Sequence, residues 1–335
     1  MLDVLLLDMD DWANTGFRMY RCIKNMGLNC LPFKGHPHIF KYPEQMLIHP
    51  GLSQIPSGTG GAVRIDDEDL TNMMNGANII HFMHSNFFDT GIDFKKKHVV
   101  FQHGGAVYRN NYKQINEIFN DYAEATIVQM PDLMGLGAKN EHLIYFPVDT
   151  EFITPIYEHL LEDKLVVGHW PSMWDQKGSS EIVDVIHRLH EDREIKDRIV
   201  YIGPNSKEEQ KLVIWYGQLE NYSKCDIVID GCAPTACGHP YGEWGNTSFE
   251  AAAFGKIVIT HSTHFDVYKR EYGECPMLIA NSPEEIEARL REIFSWDEAT
   301  LLRKRQETRE WVEKKHSIPA TAMRLWERVY RGMIE

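Results

Sequence analysis

The sequence predicts an α/β protein with two Rossmann-like, doubly wound domains that face a cleft. Short apolar strands alternate with amphipathic helices along most of the chain, which is the pattern of parallel βαβ units. The length of 335 residues is sufficient for two domains with a core each. Residues 147–155 lack periodicity and contain two prolines, so we place the boundary between the domains there.

The N-terminal domain, residues 1–150, is predicted to begin with a βαβ unit. The apolar strand 4–7 ends at an acidic turn, and a helix over 14–26 leads to a strand over 28–33. Residues 34–65 show no helical period, and we interpret them as a helix-poor excursion that could move or line the acceptor side. Their Ser-Gly-Thr-Gly-Gly run is more typical of an exposed loop than of a phosphate site. The other strands of this domain are predicted at 79–83, 98–102, 125–129 and 143–146, and its other helices at 69–78 and 116–122.

The C-terminal domain, residues 151–316, is predicted to repeat this alternation. Residues 317–335 contain an amphipathic helix over 320–330, which we expect to pack back on the N-terminal domain. The strands of the C-terminal domain are predicted at 165–169, 198–202, 227–229 and 257–259, and its helices at 179–190, 208–219, 247–254, 283–294 and 297–315.

Composition excludes several classes of protein. The 49 acidic residues exceed the 35 Lys and Arg residues, so a protein that wraps nucleic acid is not expected. The sequence contains no apolar run long enough to span a bilayer and no signal-peptide pattern, which predicts a cytoplasmic protein without a transmembrane segment. The six cysteines have no zinc-site spacing, so we expect free thiols and no metal.

An anion site is predicted where the strand 227–229 leads through a Gly- and Pro-containing loop into a helix. Unpaired N–H groups and the helix dipole at such an N-terminus favour a phosphate or pyrophosphate. Glu250, in the first turn, could reach a ribose or sugar hydroxyl. Gly16 lies in the loop after the first strand, at the carboxyl end where parallel sheets bind ligands. The helix predicted at 247–254 could be capped by Asn246, Thr247 or Ser248.

Five segments in the same order resemble glycosyltransferases of the GT-B fold, and are most similar to glycosyltransferase family 4. The first is Phe-Gln-His-Gly-Gly, and the last is a Gly-rich loop followed by Glu-Ala-Ala-Ala-Phe-Gly-Lys and a buried strand. The segments are 101–105, 126–136, 146–149, 168–178 and 241–259.

The resemblance implies an enzyme of glycan biosynthesis. It would move a hexosyl-type sugar from a nucleotide-sugar donor, a UDP- or GDP-sugar, to a sugar, glycan or lipid-linked acceptor, with retention and without metal or other cofactor. It implies a backbone role for Gly16 against the donor phosphate and a phosphate-neutralising role for Lys177. His103 would lie by the donor sugar and acceptor, and Glu250 would hold the ribose. The residues that would present the helix N-terminus to pyrophosphate are Gly245, Asn246, Thr247 and Ser248.

Two positions depart from the family pattern. The first of two donor-site glutamates, eight positions before Glu250, falls on Gly242, and the nearest acid is Glu243. Either the loop shifts to bring Glu243 into the catalytic site, or this donor contact is lost. The arginine that is common after the strand ending at Gly168 is replaced by His169, which we expect to contact the nucleotide.

Two alternatives belong to other classes. The Asp-Met-Asp sequence at 8–10 imitates the motif of haloacid-dehalogenase-like phosphohydrolases, in which Asp8 would attack phosphate and Asp10 would act as acid and base with magnesium. Trp12 stands where that motif has Thr or Val, and no acidic pair late in the chain is evident. The second alternative is a catalytically inactive GT-B module that binds nucleotide. The histidine pairs 81/84, 187/190 and 261/264 lack a carboxylate pattern and are predicted to be structural.

Overall fold

The computed structural model describes residues 2–161, 163–232, 235–236, 239–240 and 243–334, and divides the chain into two compact units. Unit 1 contains the residues up to Pro147 together with the segment from Ile318, and unit 2 is Val148–Ser317. Each unit is built on a parallel sheet with helices packed against it. The predicted α/β class with two Rossmann-like domains is therefore confirmed.

The main sheet of unit 1 has the strand order β3-β2-β1-β5-β7-β8-β9, and every pairing within it is parallel. A separate small sheet pairs β4 with β6. The strands are β1 (Leu2–Leu7), β2 (Cys30–Lys34), β3 (Leu47–Ile48), β4 (Gly61–Arg64), β5 (Ala77–Phe82), β6 (Asn86–Asp89), β7 (His98–His103), β8 (Ala125–Val128) and β9 (Glu141–Leu143). The helices are α1 (Thr15–Asn25), α2 (Glu68–Gly76) and α3 (Gly105–Phe119).

The sheet of unit 2 has the order β11-β10-β12-β15-β16, again with parallel pairings. A short antiparallel pair, β13 with β14, lies outside this sheet. The strands are β10 (Leu165–Gly168), β11 (Ile199–Ile202), β12 (Ile227–Ile229), β13 (Thr235–Ala236), β14 (His239–Pro240), β15 (Ile257–Thr260) and β16 (Leu278–Ile279). The helices are α4 (Ser179–Glu191), α5 (Trp215–Ser223), α6 (Asn246–Ala253), α7 (Phe265–Tyr272), α8 (Pro283–Phe294) and α9 (Glu298–His316).

The C-terminal segment completes the core of unit 1. It forms α10 (Ile318–Leu325), a π-helical turn (Trp326–Tyr330) and α11 (Arg331–Ile334). Leu325 and Tyr330 are fully buried with residues of β1 and α1. The Tyr330 hydroxyl lies 2.7 Å from His81 Nδ1 on β5, so a polar contact accompanies the apolar packing.

Several predicted elements differ from the structure. The strand predicted at 143–146 is β9, which ends earlier, at Leu143. Residues 34–65 contain β3 and β4, which are too short to give a periodic signal. Helix α3 begins at Gly105 instead of 116, and α5 begins at Trp215 instead of 208. Across the described residues, no helix combines the length and apolar character that a bilayer crossing requires.

Candidate functional site

A single carboxylate organises the predicted anion site of unit 2. Asp230 follows β12, and its Oδ1 lies 2.5 Å from the ammonium of Lys177, which ends the turn before α4. Its Oδ2 accepts hydrogen bonds from the Ser248 hydroxyl at 2.7 Å and from the Gly245 N–H at 3.1 Å. The structure therefore brings together three of the predicted site residues through an aspartate that the sequence analysis did not single out.

Asp230 and Lys177 form a buried ion pair. Burial alone would raise the pKa of Asp230, but the Lys177 ammonium and the hydrogen bonds from Lys177, Ser248 and Gly245 lower it to about 2. The Asp230 side chain is 1% exposed and the Lys177 side chain 16%. Since the carboxylate is enclosed and the ammonium is partly accessible, an approaching phosphate would meet Lys177.

The start of α6 differs in detail from the prediction. The Gly245 N–H and the Ser248 hydroxyl, which were expected to face pyrophosphate, bind Asp230 instead. The Thr247 hydroxyl accepts a hydrogen bond from the Tyr222 hydroxyl at 2.9 Å, which ties α6 to α5. Asn246 is the first residue of α6, and Gly245 is at the N-cap without a side-chain cap, so the predicted capping by Asn246, Thr247 or Ser248 is wrong.

Glu250 lies one turn further along α6 and is also held by α5. Its Oε1 accepts a hydrogen bond from the indole N–H of Trp215 at 2.9 Å, and the residue is buried. The contact fixes the carboxylate on the face of α6 that is turned toward α5. The predicted contact of Glu250 with ribose stays a prediction.

Glu243 is enclosed and caps the next helix. Its Oε1 accepts hydrogen bonds from the N–H groups of Thr263 at 3.0 Å and His264 at 2.8 Å, immediately before α7. Its Oε2 is buried and has no hydrogen-bond partner in the described part of the protein. An unpartnered buried carboxylate oxygen is costly, so this atom is suited to accept a ligand hydroxyl. Gly242, where the first donor-site glutamate was expected, lies outside the described residues.

The predicted nucleotide contact of His169 stays a prediction, and both nitrogens of its ring are engaged within the protein. His169 is fully buried, with Nδ1 2.8 Å from the carbonyl oxygen of Ile229 and Nε2 2.8 Å from the Ser179 hydroxyl. Burial lowers its pKa to about 4, so the ring is neutral. The ring donates to the carbonyl and accepts from the hydroxyl, and it fastens the start of α4 to the end of β12.

The N–H of Gly16, predicted to face the donor phosphate, also binds a carboxylate of the protein. It donates to Asp11 Oδ1 at 2.6 Å, and the next N–H, of Phe17, donates to Asp11 Oδ2 at 3.3 Å. A Cβ at Gly16 would lie 2.6 Å from the sulfur of Met46 and 3.0 Å from Asp11 Oδ1, so a larger residue here would displace the Met46 side chain. Asp11 thus occupies the N-terminus of α1 where a phosphate was expected.

His103 ends β7 in a buried polar and aromatic setting. Its Nδ1 hydrogen-bonds the Ser85 hydroxyl at 3.0 Å, and its ring stacks on Tyr108 with centroids 4.0 Å apart. Burial lowers the pKa of His103 to about 3, so the ring is neutral. Its predicted role beside the donor sugar and acceptor stays a prediction.

Unit 1 also contains a buried pair, Asp8 and His84, that was not predicted from the sequence. Asp8 Oδ2 lies 2.6 Å from His84 Nδ1, and His84 Nε2 lies 2.8 Å from the Thr15 hydroxyl. His84 and Ser85 have φ values of 50° and 63°, a left-handed conformation that concentrates at functional loops. Because the two partners are 76 positions apart, only the acidic turn after β1 hinted at the pair.

The contacts of Asp8 and Asp10 do not suit the phosphohydrolase alternative. Asp8 is fully buried, and its Oδ1 accepts from the Met9 N–H at 2.7 Å and from the Asn86 amide at 3.0 Å, while Oδ2 faces His84. Asp10 accepts from the Ser57 hydroxyl at 2.6 Å and the Gly58 N–H at 2.7 Å. Asp8 is therefore not placed to attack a phosphate. In the described part of the chain, the His, Cys, Asp and Glu side chains do not come together in threes as a metal site would require.

Comparison with solved structures shows which fold this chain has. HepE from Anabaena, in complex with UDP and glucose, is similar over 99% of this chain and 100% of its own, at 12% identity and a TM-score of 0.64. A glycosyltransferase from Rickettsia africae is similar over 100% of this chain and 99% of its own, at 12% identity and a TM-score of 0.65. Sucrose-phosphate synthase from Thermosynechococcus elongatus is similar over 99% of both chains, at 14% identity and a TM-score of 0.60.

These structures are GT-B glycosyltransferases, so the predicted resemblance is confirmed at the level of the fold. No family model matches the sequence, and no curated protein matches it either. At this level of identity the likeness establishes the GT-B fold alone, and membership of family 4 stays a prediction.

Proposed function

We propose that this protein is a glycosyltransferase that moves a sugar from a nucleotide-sugar to an acceptor hydroxyl. The observation that carries the proposal is the Lys177–Asp230 pair at the N-terminus of α6. A partly accessible ammonium beside a helix N-terminus suits a diphosphate. The complex of the structurally similar HepE with UDP and glucose supports a nucleotide-sugar as the donor.

In the proposed reaction, the acceptor oxygen attacks the anomeric carbon and forms the new glycosidic bond. The bond from that carbon to the distal phosphate oxygen breaks, and the nucleoside diphosphate leaves with the electron pair. The proton of the acceptor hydroxyl passes to the departing phosphate oxygen, so the step balances. Lys177 and the N-terminus of α6 stabilise the charge that develops on the phosphate, because fixed charges need no reorganisation during the reaction. Glu250 binds the ribose hydroxyls, and the unpartnered Oε2 of Glu243 accepts a hydroxyl of the donor sugar.

Three finer properties belong to the proposal on the strength of the sequence resemblance. They are retention of configuration, independence of metal and other cofactors, and a UDP- or GDP-sugar as the donor. The acceptor is proposed to be a sugar, a glycan or a lipid-linked sugar.

The test is the binding of UDP and GDP with EDTA present, measured by calorimetry. A charge-assisted contact with phosphate contributes about 1.5–3 kcal/mol, so Lys177→Ala is expected to weaken binding by roughly 10- to 150-fold. Glu250→Ala is expected to weaken the binding of nucleoside diphosphates and to leave the binding of inorganic pyrophosphate unchanged. Lys211→Ala, which removes an exposed lysine, is the matched control and should change neither.

The proposal fails if Lys177→Ala and Glu250→Ala bind nucleotide as well as the unchanged protein does. Donor turnover, followed by NMR, separates the remaining classes. An inactive module would bind nucleotide without transfer or hydrolysis of the sugar. A phosphohydrolase would require magnesium and release phosphate from a simple ester.

A further inference from the structure

Three aromatic side chains form a surface in unit 2 that we call the aromatic platform: Phe152, Trp215 and Tyr216. The ring centroids of Phe152 and Trp215 are 5.5 Å apart at an interplanar angle of 25°, and those of Trp215 and Tyr216 are 5.3 Å apart. Phe152 is 51% exposed and Tyr216 is 48% exposed. Apolar surface is stabilised when it is removed from water, so an exposed aromatic patch of this kind often marks a binding site.

The aromatic platform is fastened to the helix that carries the candidate site. The indole N–H of Trp215 donates to Glu250, and the Tyr222 hydroxyl on the same helix α5 donates to Thr247. Contacts therefore connect three features: Lys177 lies at the N-terminus of α6, Glu250 lies one turn along this helix, and Trp215 of the platform donates to Glu250.

We propose that the aromatic platform stacks the base of the donor nucleotide, an inference that rests on the proposed function. A nucleotide has its phosphates, ribose and base in this same order. With the diphosphate at Lys177 and the ribose at Glu250, the base is carried onto the platform. The exposed rings offer a flat apolar face, which suits an uncharged planar base.

The chemistry of the platform also indicates how selective it is. Aromatic rings stack on every base, because each base has a π-face, and this contact does not read the edges of the base. We therefore expect UDP, GDP and ADP to gain similarly from the platform. Ile214, the residue immediately before α5, is 46% exposed and adds to the apolar surface next to Trp215.

The test compares a probe that has a base with one that lacks it. Calorimetry measures the dissociation constants of UDP and inorganic pyrophosphate for the unchanged protein, Phe152→Ala, Tyr216→Ala and the double variant. Stacking of one base corresponds to about 5-fold or more in affinity, so the double variant should lose at least that much for UDP. Its affinity for pyrophosphate should not change, which also reports that the site is still folded. Leu160→Ala, which removes another exposed apolar side chain of unit 2, should change neither constant.

The outcomes separate the platform from the proposed function. If the double variant keeps the UDP affinity of the unchanged protein, or loses affinity for both probes alike, the platform does not bind the base. In either case the Lys177→Ala result still decides the proposed function. If the unchanged protein binds neither UDP nor pyrophosphate, the proposed function is overturned and the platform with it. A last outcome would identify the platform as a cation site. In that case tetramethylammonium would bind the unchanged protein and would not bind Phe152→Ala, while the affinity for UDP would be the same in both, and the inference would be wrong.

Discussion

At the scale of single residues, the two units share one arrangement: an aspartate after a strand supplies a carboxylate to the N-terminus of a helix. Asp11 binds the first N–H groups of α1, and Asp230 binds the first turn of α6. Both carboxylates complement the positive end of a helix dipole. Of the two, Asp230 alone forms a direct ion pair within the described part of the protein, and its partner Lys177 offsets its negative charge. This compensation is why we propose that the N-terminus of α6 accepts a further anion.

Asp8 and His84 predict a pH dependence of stability. Burial opposes the charged imidazole, but the Asp8 carboxylate outweighs it and raises the pKa of His84, with Asp10 and Asp11 acting in the same direction. A histidine whose folded pKa is raised stabilises the fold fully below its unfolded pKa, and this contribution is lost as the pH rises through the folded pKa. We expect the free energy of unfolding to fall above about pH 6.5 in the unchanged protein, and to fall less in His84→Gln.

Urea unfolding at about pH 6 and about pH 9 measures this difference. His187→Gln, at an exposed position on α4, is the control and should keep the pH dependence of the unchanged protein. An equal pH dependence in His84→Gln would show that the Asp8–His84 pair does not titrate as expected.

The candidate site illustrates what a sequence can and cannot reveal at this scale. Lys177, Gly245 and Ser248 could be predicted as candidates because each lies in a local motif that resembles a known family. Asp230 was missed because its partner Lys177 is 53 positions away and no local pattern relates them. The surroundings of His169 were not predictable for a similar reason: its position in a motif does not show that Ile229 and Ser179 contact both ring nitrogens.

At the scale of elements, the buried parallel strands were the most predictable part of the fold. β1, β7, β10, β12 and β15 each contain at least three consecutive apolar residues, as expected for strands of parallel sheets that helices cover on both faces. The start of α5 was not predictable. Glu209 accepts from the Asn205 N–H, and the Gln210 side chain donates to the carbonyl oxygens of Pro171 and Ser172. These contacts hold the segment before Trp215 outside the helix, although its residues have helical propensity.

Helix α9 predicts a large effect from one buried arginine. Arg305 donates to the carbonyl oxygens of Gly255 at 3.0 Å, Tyr157 at 2.9 Å and Ile156 at 2.6 Å, and it is buried. A lysine has a single ammonium and cannot reproduce three divergent contacts of a planar guanidinium. Since each buried carbonyl left without a donor costs about 1–3 kcal/mol, Arg305→Lys should destabilise unit 2 by at least about 2 kcal/mol.

Arg303→Lys on the same helix is the matched control. Arg303 is exposed and pairs with Glu307, and exposed pairs of this kind contribute less than about 1 kcal/mol. The two variants are compared by unfolding in urea. Tryptophan fluorescence, to which Trp311 on α9 contributes, reports the transition. A similar small loss in both would mean that the carbonyl contacts of Arg305 do not stabilise unit 2.

At the scale of the whole molecule, the order of residues in the chain differs from their grouping in space. Unit 1 is completed by the segment from Ile318, which follows all of unit 2 in the sequence. The amphipathic pattern of this segment predicts a buried face, but a pattern alone does not identify the surface against which the face packs. In the structure that surface is α1 and the sheet of unit 1, where Leu325 and Tyr330 enter the core.

This arrangement predicts that a substitution near the C-terminus weakens the beginning of the chain. Leu325→Ala removes a fully buried side chain from the core of unit 1 and should cost about 2–5 kcal/mol. Hydrogen exchange should then show faster exchange for the amides of β1, while those of β12 stay protected. Leu290→Ala is the matched control, since Leu290 is equally buried in the core of unit 2, and it should accelerate exchange in β12 instead. If β1 keeps its full protection in Leu325→Ala, or loses as much in Leu290→Ala, the C-terminal segment does not stabilise unit 1 in the way that its packing indicates.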